Sequence, residues 1–246
     1  MATAPTPASS SRFAEYSNKL RLFLPVAALA LLAAGTYVGL AVAPPDREMG
    51  DVQRIMYAHV PAVWNALICL LINFICSVTY LLTSRWEADA LAEASAEVGI
   101  LFGAIGVTLG AIWGRPTWGV YWTWDPRLTT AAIMLVAYTG YMALRRFVED
   151  PERRAVWSAV IGIIAFVDVP ILWFSVRWWK SLHQIQSSPR TVHPDMIVPL
   201  RLMSFAFLFT MACFVWNRYR LALSERRQEV APPELLDAPH KPQEAA

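Results

Sequence analysis

Cysteine, histidine and charged residues are scarce in this chain. Its 246 residues include three cysteines and four histidines, and 16% of them are Asp, Glu, Lys or Arg, against about 25% in an average soluble domain. The cysteines occur singly, without a Cys-x-x-Cys-His motif, which excludes a c-type cytochrome. The sequence also lacks a Walker phosphate-binding loop, so any ATP-driven step would require another subunit.

Apolar residues occupy most of the remaining positions. Hydrophobic side chains make up 56% of the chain and the mean hydropathy is +0.38, which is typical of an integral membrane protein. Six apolar runs approach the roughly 20 residues that cross a bilayer. They cover residues 20–43, 61–83, 96–112, 128–147, 155–176 and 199–216. We predict an all-α bundle of six transmembrane helices (20–217) between disordered termini, 1–19 and 218–246.

The Lys and Arg residues outside these runs predict the orientation. Six spans place both termini on one side, and that side collects thirteen of the 21 basic residues, whereas the other side has eight. The pairs Arg145-Arg146 and Arg153-Arg154 flank one short loop on the richer side. Because cytoplasmic loops are enriched in basic residues, we expect cytoplasmic termini. The net charge of +2 then needs no nucleic-acid partner.

A tryptophan-rich segment stands on the opposite, outer side. Residues 113–125 read WGRPTWGVYWTWD, with four tryptophans and a tyrosine. Tryptophan is common at the membrane interface, so a lipid-facing anchor is one explanation. The density of rings favours a second, a flat aromatic platform for a flat apolar ligand, formed by Trp113, Trp118, Tyr121, Trp122, Trp124 and Asp125. Trp118, Tyr121 and Trp122 have helical spacing, which predicts one short interfacial helix.

Two histidines flank this platform on the outer side. His59 precedes the second span, and His183 follows Trp179 by one turn if that helix continues. Two imidazoles can bind haem iron from both axial positions while aromatic rings cover the porphyrin. The alternative for each histidine is an interfacial polar residue satisfied by backbone or water. Cations on the same side are candidate partners of the haem propionates: Arg115, Arg127, Arg177 and Lys180.

Three further residues have two explanations each. His193 lies in the same outer loop as His183 and is its rival as ligand, whereas His240 lies in the cytoplasmic tail. Asp125 precedes Pro126, so it is either a helix N-cap, part of the ligand site, or both. Asp168 lies inside the fifth span, where an acid indicates function, but Pro170 indicates a kink that would give it a structural task.

These motifs resemble the CcmC family of cytochrome c maturation proteins. Residues 113–125 are similar to its tryptophan-rich "WWD" signature, and MYAHVP around His59 and WWKSLHQ around His183 match its two histidine segments. The resemblance covers the chain except its termini. Two departures are Tyr121, where tryptophan is expected, and Pro126, where alanine is common. Proline suits the first position of a helix.

The resemblance implies a haem-handling membrane subunit rather than an enzyme. It implies non-covalent, transient haem with His59 and His183 as axial ligands, the WWD loop (113–127) as platform and docking surface, and delivery to the haem chaperone CcmE. The implied location is the bacterial inner membrane with a periplasmic WWD loop. Partners would be CcmE, the ATPase CcmA, CcmB, CcmD and membrane lipid. Alternatives are a small cytochrome c haem lyase and a haem-exporting permease subunit.

Overall fold

The computed structural model describes residues 7–183 and 192–230. Within these ranges the regular structure is helical, apart from one isolated antiparallel bridge between Asp46 and Gly50. A π-helical turn (Val38–Val42) and a 3-10 turn (Asp51–Ile55) accompany seven α-helices. The α-helices are α1 Pro7–Tyr37, α2 Met56–Thr83, α3 Trp86–Trp118, α4 Pro126–Phe147, α5 Pro151–Phe166, α6 Asp168–Trp178 and α7 Pro194–Val230. The prediction of an all-helical protein is confirmed for this part of the chain.

Five helical segments in the described ranges are long and apolar enough to cross a membrane. They are Leu22–Val42, Asp51–Thr83, Trp86–Trp118, Pro151–Trp178 and Pro194–Glu229. Helix α4 has 22 residues, which is long enough for a bilayer. It is not among the five, and its sequence carries an arginine near one end and two at the other. The chain is therefore a candidate multi-pass membrane protein, and a sixth span through α4 stays a prediction.

Successive helical segments, with α5 and α6 counted as one, run in opposite directions and produce two distinct ends of the bundle. Ser84, with a φ of 52°, and Arg85 make the turn between α2 and α3. Helix α1 is antiparallel to α7, since Gly35 lies against Met203 and Gly39 lies near Pro199. One end contains the start of α2 and the junction of α3 with α4, and we call it the cavity end. The other contains the ion pairs described next, and we call it the ion-pair end.

Buried ion pairs join α3, α4 and α7 at the ion-pair end. Arg145 donates to Asp89 at 2.7 Å and to Glu93 at 2.8 Å, and the side chains of Arg145 and Asp89 are each 3% exposed. Arg226 donates to the same two acids at 2.9 Å each, and Arg218 donates to Glu93 at 2.9 Å. Each buried acid is therefore neutralised by arginines from other helices, as buried charges require.

Several helices extend beyond the predicted spans, and the ion pairs lie on two of these extensions. The third span was expected to begin at residue 96, but α3 begins at Trp86, because the acids at its start face arginines rather than lipid. The tail was expected to be disordered from residue 218, but α7 continues to Val230 and places Arg226 on Asp89. At the other terminus α1 already begins at Pro7. Residues 231–246, with His240, lie outside the described residues.

Glycines on one face of α3 allow neighbouring segments, α2 among them, to approach closely. Five of them follow each other at intervals of three or four residues: Gly99, Gly103, Gly106, Gly110 and Gly114. A β-carbon on Gly99 would lie 2.9 Å from Leu70 Cδ2, and one on Gly106 would lie 2.7 Å from Val63 Cγ2. Small residues at such spacing let helix backbones meet in membranes. This face continues to the cavity end and there contacts His59.

Candidate functional site

A cavity of about 280 Å³ opens at the cavity end of the bundle. Helices α2, α3, α4 and α6 and the segment after α6 supply its walls, which are mainly apolar. Its polar and aromatic lining consists of His59, Trp64, Trp113, Thr117, Trp118, Arg127 and His183. Leu182 also lines it and is 50% exposed, so the cavity reaches the surface beside His183.

His59 projects from the first turn of α2 towards α3. Its Nδ1 lies 2.8 Å from the carbonyl oxygen of Gly106. A carbonyl can only accept, so Nδ1 must donate its hydrogen, and Nε2 of the neutral ring then carries the lone pair. A backbone partner of this kind is how proteins orient a ligating imidazole. Gly110 leaves room for the ring, because a β-carbon there would lie 2.9 Å from Cε1.

His183 reaches the same cavity from a segment without helical structure. Helix α6 ends at Trp178, so it does not continue to His183. The ring centres of His59 and His183 are nevertheless 6.5 Å apart. One metal bound between two imidazoles separates their centres by about 6 Å, since each metal–nitrogen bond is about 2 Å long. The spacing of the two rings is therefore compatible with shared axial ligation.

The aromatic platform is only partly assembled around the cavity. Trp113 and Trp118 line it, and their ring centres lie 5.7 Å from His59 and 6.0 Å from His183 respectively. Helix α3 ends at Trp118 and Gly119 follows with a φ of 82°, so the predicted interfacial helix through residue 122 is wrong. The non-helical connection comprises residues 119–125 alone, shorter than the predicted loop 113–127.

The rings in this connection point elsewhere. Tyr121 is 62% exposed beneath the guanidinium of Arg115, and Trp124 is 75% exposed. Trp122 packs edge-on against Trp124, at 5.5 Å between ring centres. None of these three rings lines the cavity as described here. The connection itself adjoins the cavity, since the carbonyl of Val120 lies beside the cavity-lining Gly114.

The two carboxylate oxygens of Asp125 make different contacts. Its Oδ1 accepts the amide hydrogen of Leu128 at 2.9 Å, which caps α4 as predicted. Its Oδ2 accepts the hydroxyl hydrogen of Ser181 at 3.0 Å and the amide hydrogen of Leu182 at 3.1 Å. The acid thereby connects the start of α4 to the segment that carries His183.

Of the four predicted propionate partners, one lines the cavity. Arg127 is 8% exposed there, and its Nη1 donates to the carbonyl of Leu172 at 3.2 Å. Arg115 donates to the carbonyl of Gly119, Arg177 lies over the Phe174 ring, and both are exposed, as is Lys180. Because a guanidinium has five N–H donors, Arg127 keeps donor capacity for an anion in the cavity.

The two remaining candidates lie away from the cavity. His193 is exposed, and its Nδ1 is 3.4 Å from the amide of Asp195. Asp168 begins α6 where the fifth span is interrupted at Val167, in agreement with a structural role at a break. Its Oδ2 is buried and has no hydrogen-bond partner among the described residues.

Several residues around the site were not identified from the sequence. The intervals of three and four between Gly106, Gly110 and Gly114 were a readable signal for close packing. Met49 lines the cavity and belongs to a turn in which Asp46 accepts its amide hydrogen, and that of Glu48, at 2.9 Å each. These hydrogen bonds lower the pKa of the Asp46 carboxyl. Nothing in the sequence indicated Ser181, whose role depends on a partner 56 positions away.

Comparison with known proteins identifies the family. The family model described as "Heme exporter protein C" (CcmC) matches residues 4–232. A "Heme exporter protein C" of Bradyrhizobium diazoefficiens is 37% identical over 204 residues, which is 81% of this chain and 77% of that protein. One of Haemophilus influenzae is 38% identical over 79% of this chain and 81% of its own length. A "Putative cytochrome c biosynthesis ccmC-like mitochondrial protein" of Marchantia polymorpha is 34% identical over 75% and 79%. The chain belongs to the heme exporter protein C family, CcmC.

Proposed function

We propose that this chain holds haem at the periplasmic face of the bacterial inner membrane and delivers it to the haem chaperone CcmE. The observation that carries the proposal is the 6.5 Å separation of the His59 and His183 rings across one cavity. The names of its relatives, heme exporter protein C and cytochrome c biosynthesis protein, support haem handling. The ATPase CcmA, CcmB and CcmD would be the other partners.

The other side chains that line the cavity are also suited to haem. Trp113 and Trp118 supply rings for the macrocycle, and Arg127 supplies a buried cation for a propionate. The cavity volume of about 280 Å³ is just below the range for small-molecule sites, about 300–1,000 Å³. Part of the macrocycle would therefore lie outside it, against the exposed rings of Tyr121 and Trp124. Such a half-exposed cargo is accessible to an incoming chaperone.

The charge distribution supports the proposed orientation. The pairs Arg145-Arg146 and Arg153-Arg154 belong to the ion-pair end, and both terminal helices have their outer ends there. Basic residues concentrate on the cytoplasmic side of membrane proteins. The cavity end would then face the periplasm, with α4 as the sixth span.

The test is an absorption spectrum of the purified full-length protein loaded with haem. We expect a bis-histidine spectrum that changes in His59→Ala and in His183→Ala. His193→Ala is the matched control and should leave the spectrum unchanged, because His193 lies outside the cavity. Haem ligation that is indifferent to both His59→Ala and His183→Ala would contradict the proposal.

Two further measurements separate this function from its alternatives. A haem lyase would attach haem to a Cys-x-x-Cys-His peptide without other subunits, whereas a delivery subunit would leave the peptide unmodified and pass haem to purified CcmE. A permease would move labelled haem across sealed vesicles. We expect transfer to CcmE in the absence of both activities.

A further inference from the structure

The two carboxylate oxygens of Asp125 hold two different parts of the chain. Oδ1 accepts from the amide of Leu128 and caps α4, whereas Oδ2 accepts from the hydroxyl of Ser181 and the amide of Leu182. The second set of contacts spans 56 positions in the sequence. A helix cap requires one acceptor oxygen, so the contacts of Oδ2 need a separate explanation.

Ser181 extends this connection to His183. Its hydroxyl oxygen lies 3.0 Å from the amide nitrogen of His183 and accepts its hydrogen, while the hydroxyl hydrogen is donated to Asp125. A hydroxyl has one donor and two acceptor lone pairs, so both bonds can form together. We call Asp125, Ser181 and the amides of Leu182 and His183 the clasp.

His59 and His183 differ in how the surrounding backbone supports them. His59 stands on a helix, and its ring is oriented by the carbonyl of Gly106. His183 follows the end of α6 by five residues, and residues 179–183 are not helical. Ligating groups must be held within about 0.5 Å by surrounding hydrogen bonds and packing. Asp125 itself is not among the residues that line the cavity.

We propose that Asp125 and Ser181 are positioning residues that hold His183 at the iron-binding position. The inference rests on the proposed haem function and assigns the acid that ends the tryptophan motif a task distinct from haem contact. Loss of the clasp should therefore release one axial ligand while His59 stays bound.

Two substitutions separate the clasp from the helix cap. Asp125→Ser keeps a favourable N-cap residue but removes the second acceptor oxygen. Ser181→Ala removes the hydroxyl and leaves the cap intact, and Ser181→Thr restores a hydroxyl at the same position. Asp150→Ala is the matched cap control, because Asp150 also precedes a proline and accepts the amide hydrogen of Arg153 at 2.7 Å.

The readout is the coordination of haem iron in the full-length protein, followed by absorption and electron paramagnetic resonance. We expect Asp125→Ser and Ser181→Ala to shift haem from six-coordinate low-spin towards five-coordinate high-spin, as His183→Ala does. Free imidazole should restore the low-spin signal in all three. Ser181→Thr and Asp150→Ala should keep it without imidazole. If Asp125→Ser does not fold, the Ser181→Ala and Ser181→Thr pair decides.

The outcomes distinguish this inference from the proposed function. A bis-histidine signal that persists in Ser181→Ala, while His183→Ala abolishes it, would overturn the clasp alone. A wild-type signal that neither His59→Ala nor His183→Ala alters would overturn the proposed ligands and the clasp with them. A changed signal in Asp150→Ala would show that capping in general, not the clasp, controls ligation, and would also overturn the inference.

Discussion

Gly110 lies so close to His59 that a β-carbon at position 110 would stand 2.9 Å from the ring's Cε1 and 3.3 Å from Nδ1. Contacts this short are not tolerated, so an added methyl group must displace the imidazole. The ring is the end of a flexible side chain, and the adjustment therefore affects ligand geometry more than the helix pair. The position of the His59 ring on α2 therefore depends on glycine at position 110 of α3.

Gly110→Ala should weaken haem binding in a folded protein. We expect affinity to fall by about tenfold, the lower range for substitutions that disturb the support of a metal ligand. Haem titration followed by absorption measures the effect. Gly140→Ala is the control, because a β-carbon at that position of α4 meets nothing within 4 Å. Equal affinities of the two variants would contradict the role assigned to Gly110.

Arg127→Gln should reduce haem affinity by about tenfold or more, because a hydrogen bond to a charged group contributes about 1.5–3 kcal/mol. Arg177→Gln serves as the control, since Arg177 is exposed over Phe174. Titration with haem and with a haem diester, which lacks the propionate charges, identifies the interaction. We expect the two proteins to differ with haem and to agree with the diester. A loss of equal size with the diester would instead indicate that Arg127 acts through the Leu172 carbonyl.

Arg145→Ala should destabilise the bundle. It leaves Asp89 and Glu93 with one fewer cation in a buried position, and breaking a buried ion pair costs about 3–5 kcal/mol. The neighbouring Arg146→Ala removes an exposed arginine and should change stability little. Denaturant unfolding in detergent compares the two variants. Haem coordination in folded Arg145→Ala should match wild type, because the ion pairs lie at the end opposite the cavity.

Gly162→Ala should destabilise the contact between α5 and α2. Its β-carbon would lie 2.8 Å from Asn73 Oδ1 and 3.0 Å from Ser77 Oγ, both on buried side chains. Overpacking of this kind costs about 1–3 kcal/mol. Alanine has a higher helix propensity than glycine. Gly140→Ala is therefore the reference for the stability gained from helix propensity alone. A free energy of unfolding in Gly162→Ala equal to that of Gly140→Ala would contradict this prediction, because it would show that Asn73 and Ser77 move aside without cost.

The helical class and most spans followed from local composition. Long apolar runs have few alternatives to helix in lipid, because every backbone polar group must be satisfied within the segment. The helix ends were not predictable where distant charges matter: α3 begins ten residues before the predicted span, where Asp89 and Glu93 meet arginines from α4 and α7. No pattern within α3 could identify those partners.

The candidate site, likewise, could be predicted from the sequence only in part. Motifs around His59, His183 and residues 113–125 were recognisable in the amino-acid order, since residue types and short spacings carry chemistry. Which of those groups share the cavity was decided by packing: Trp113, Trp118 and Arg127 line it, whereas Tyr121, Trp124 and Arg177 do not.

The local amino-acid sequence thus specifies the membrane helices, the helix cap at Asp125 and the kinds of side chain that could bind haem iron, because each depends on neighbours within a few residues. The tertiary structure alone supplies the 6.5 Å separation of the two imidazoles and the hydrogen bonds from His59 to the Gly106 carbonyl and from Ser181 to Asp125. Those contacts join residues 47 and 56 positions apart. Their geometry depends on how closely the glycine face of α3 lets the helices approach, which no single segment encodes.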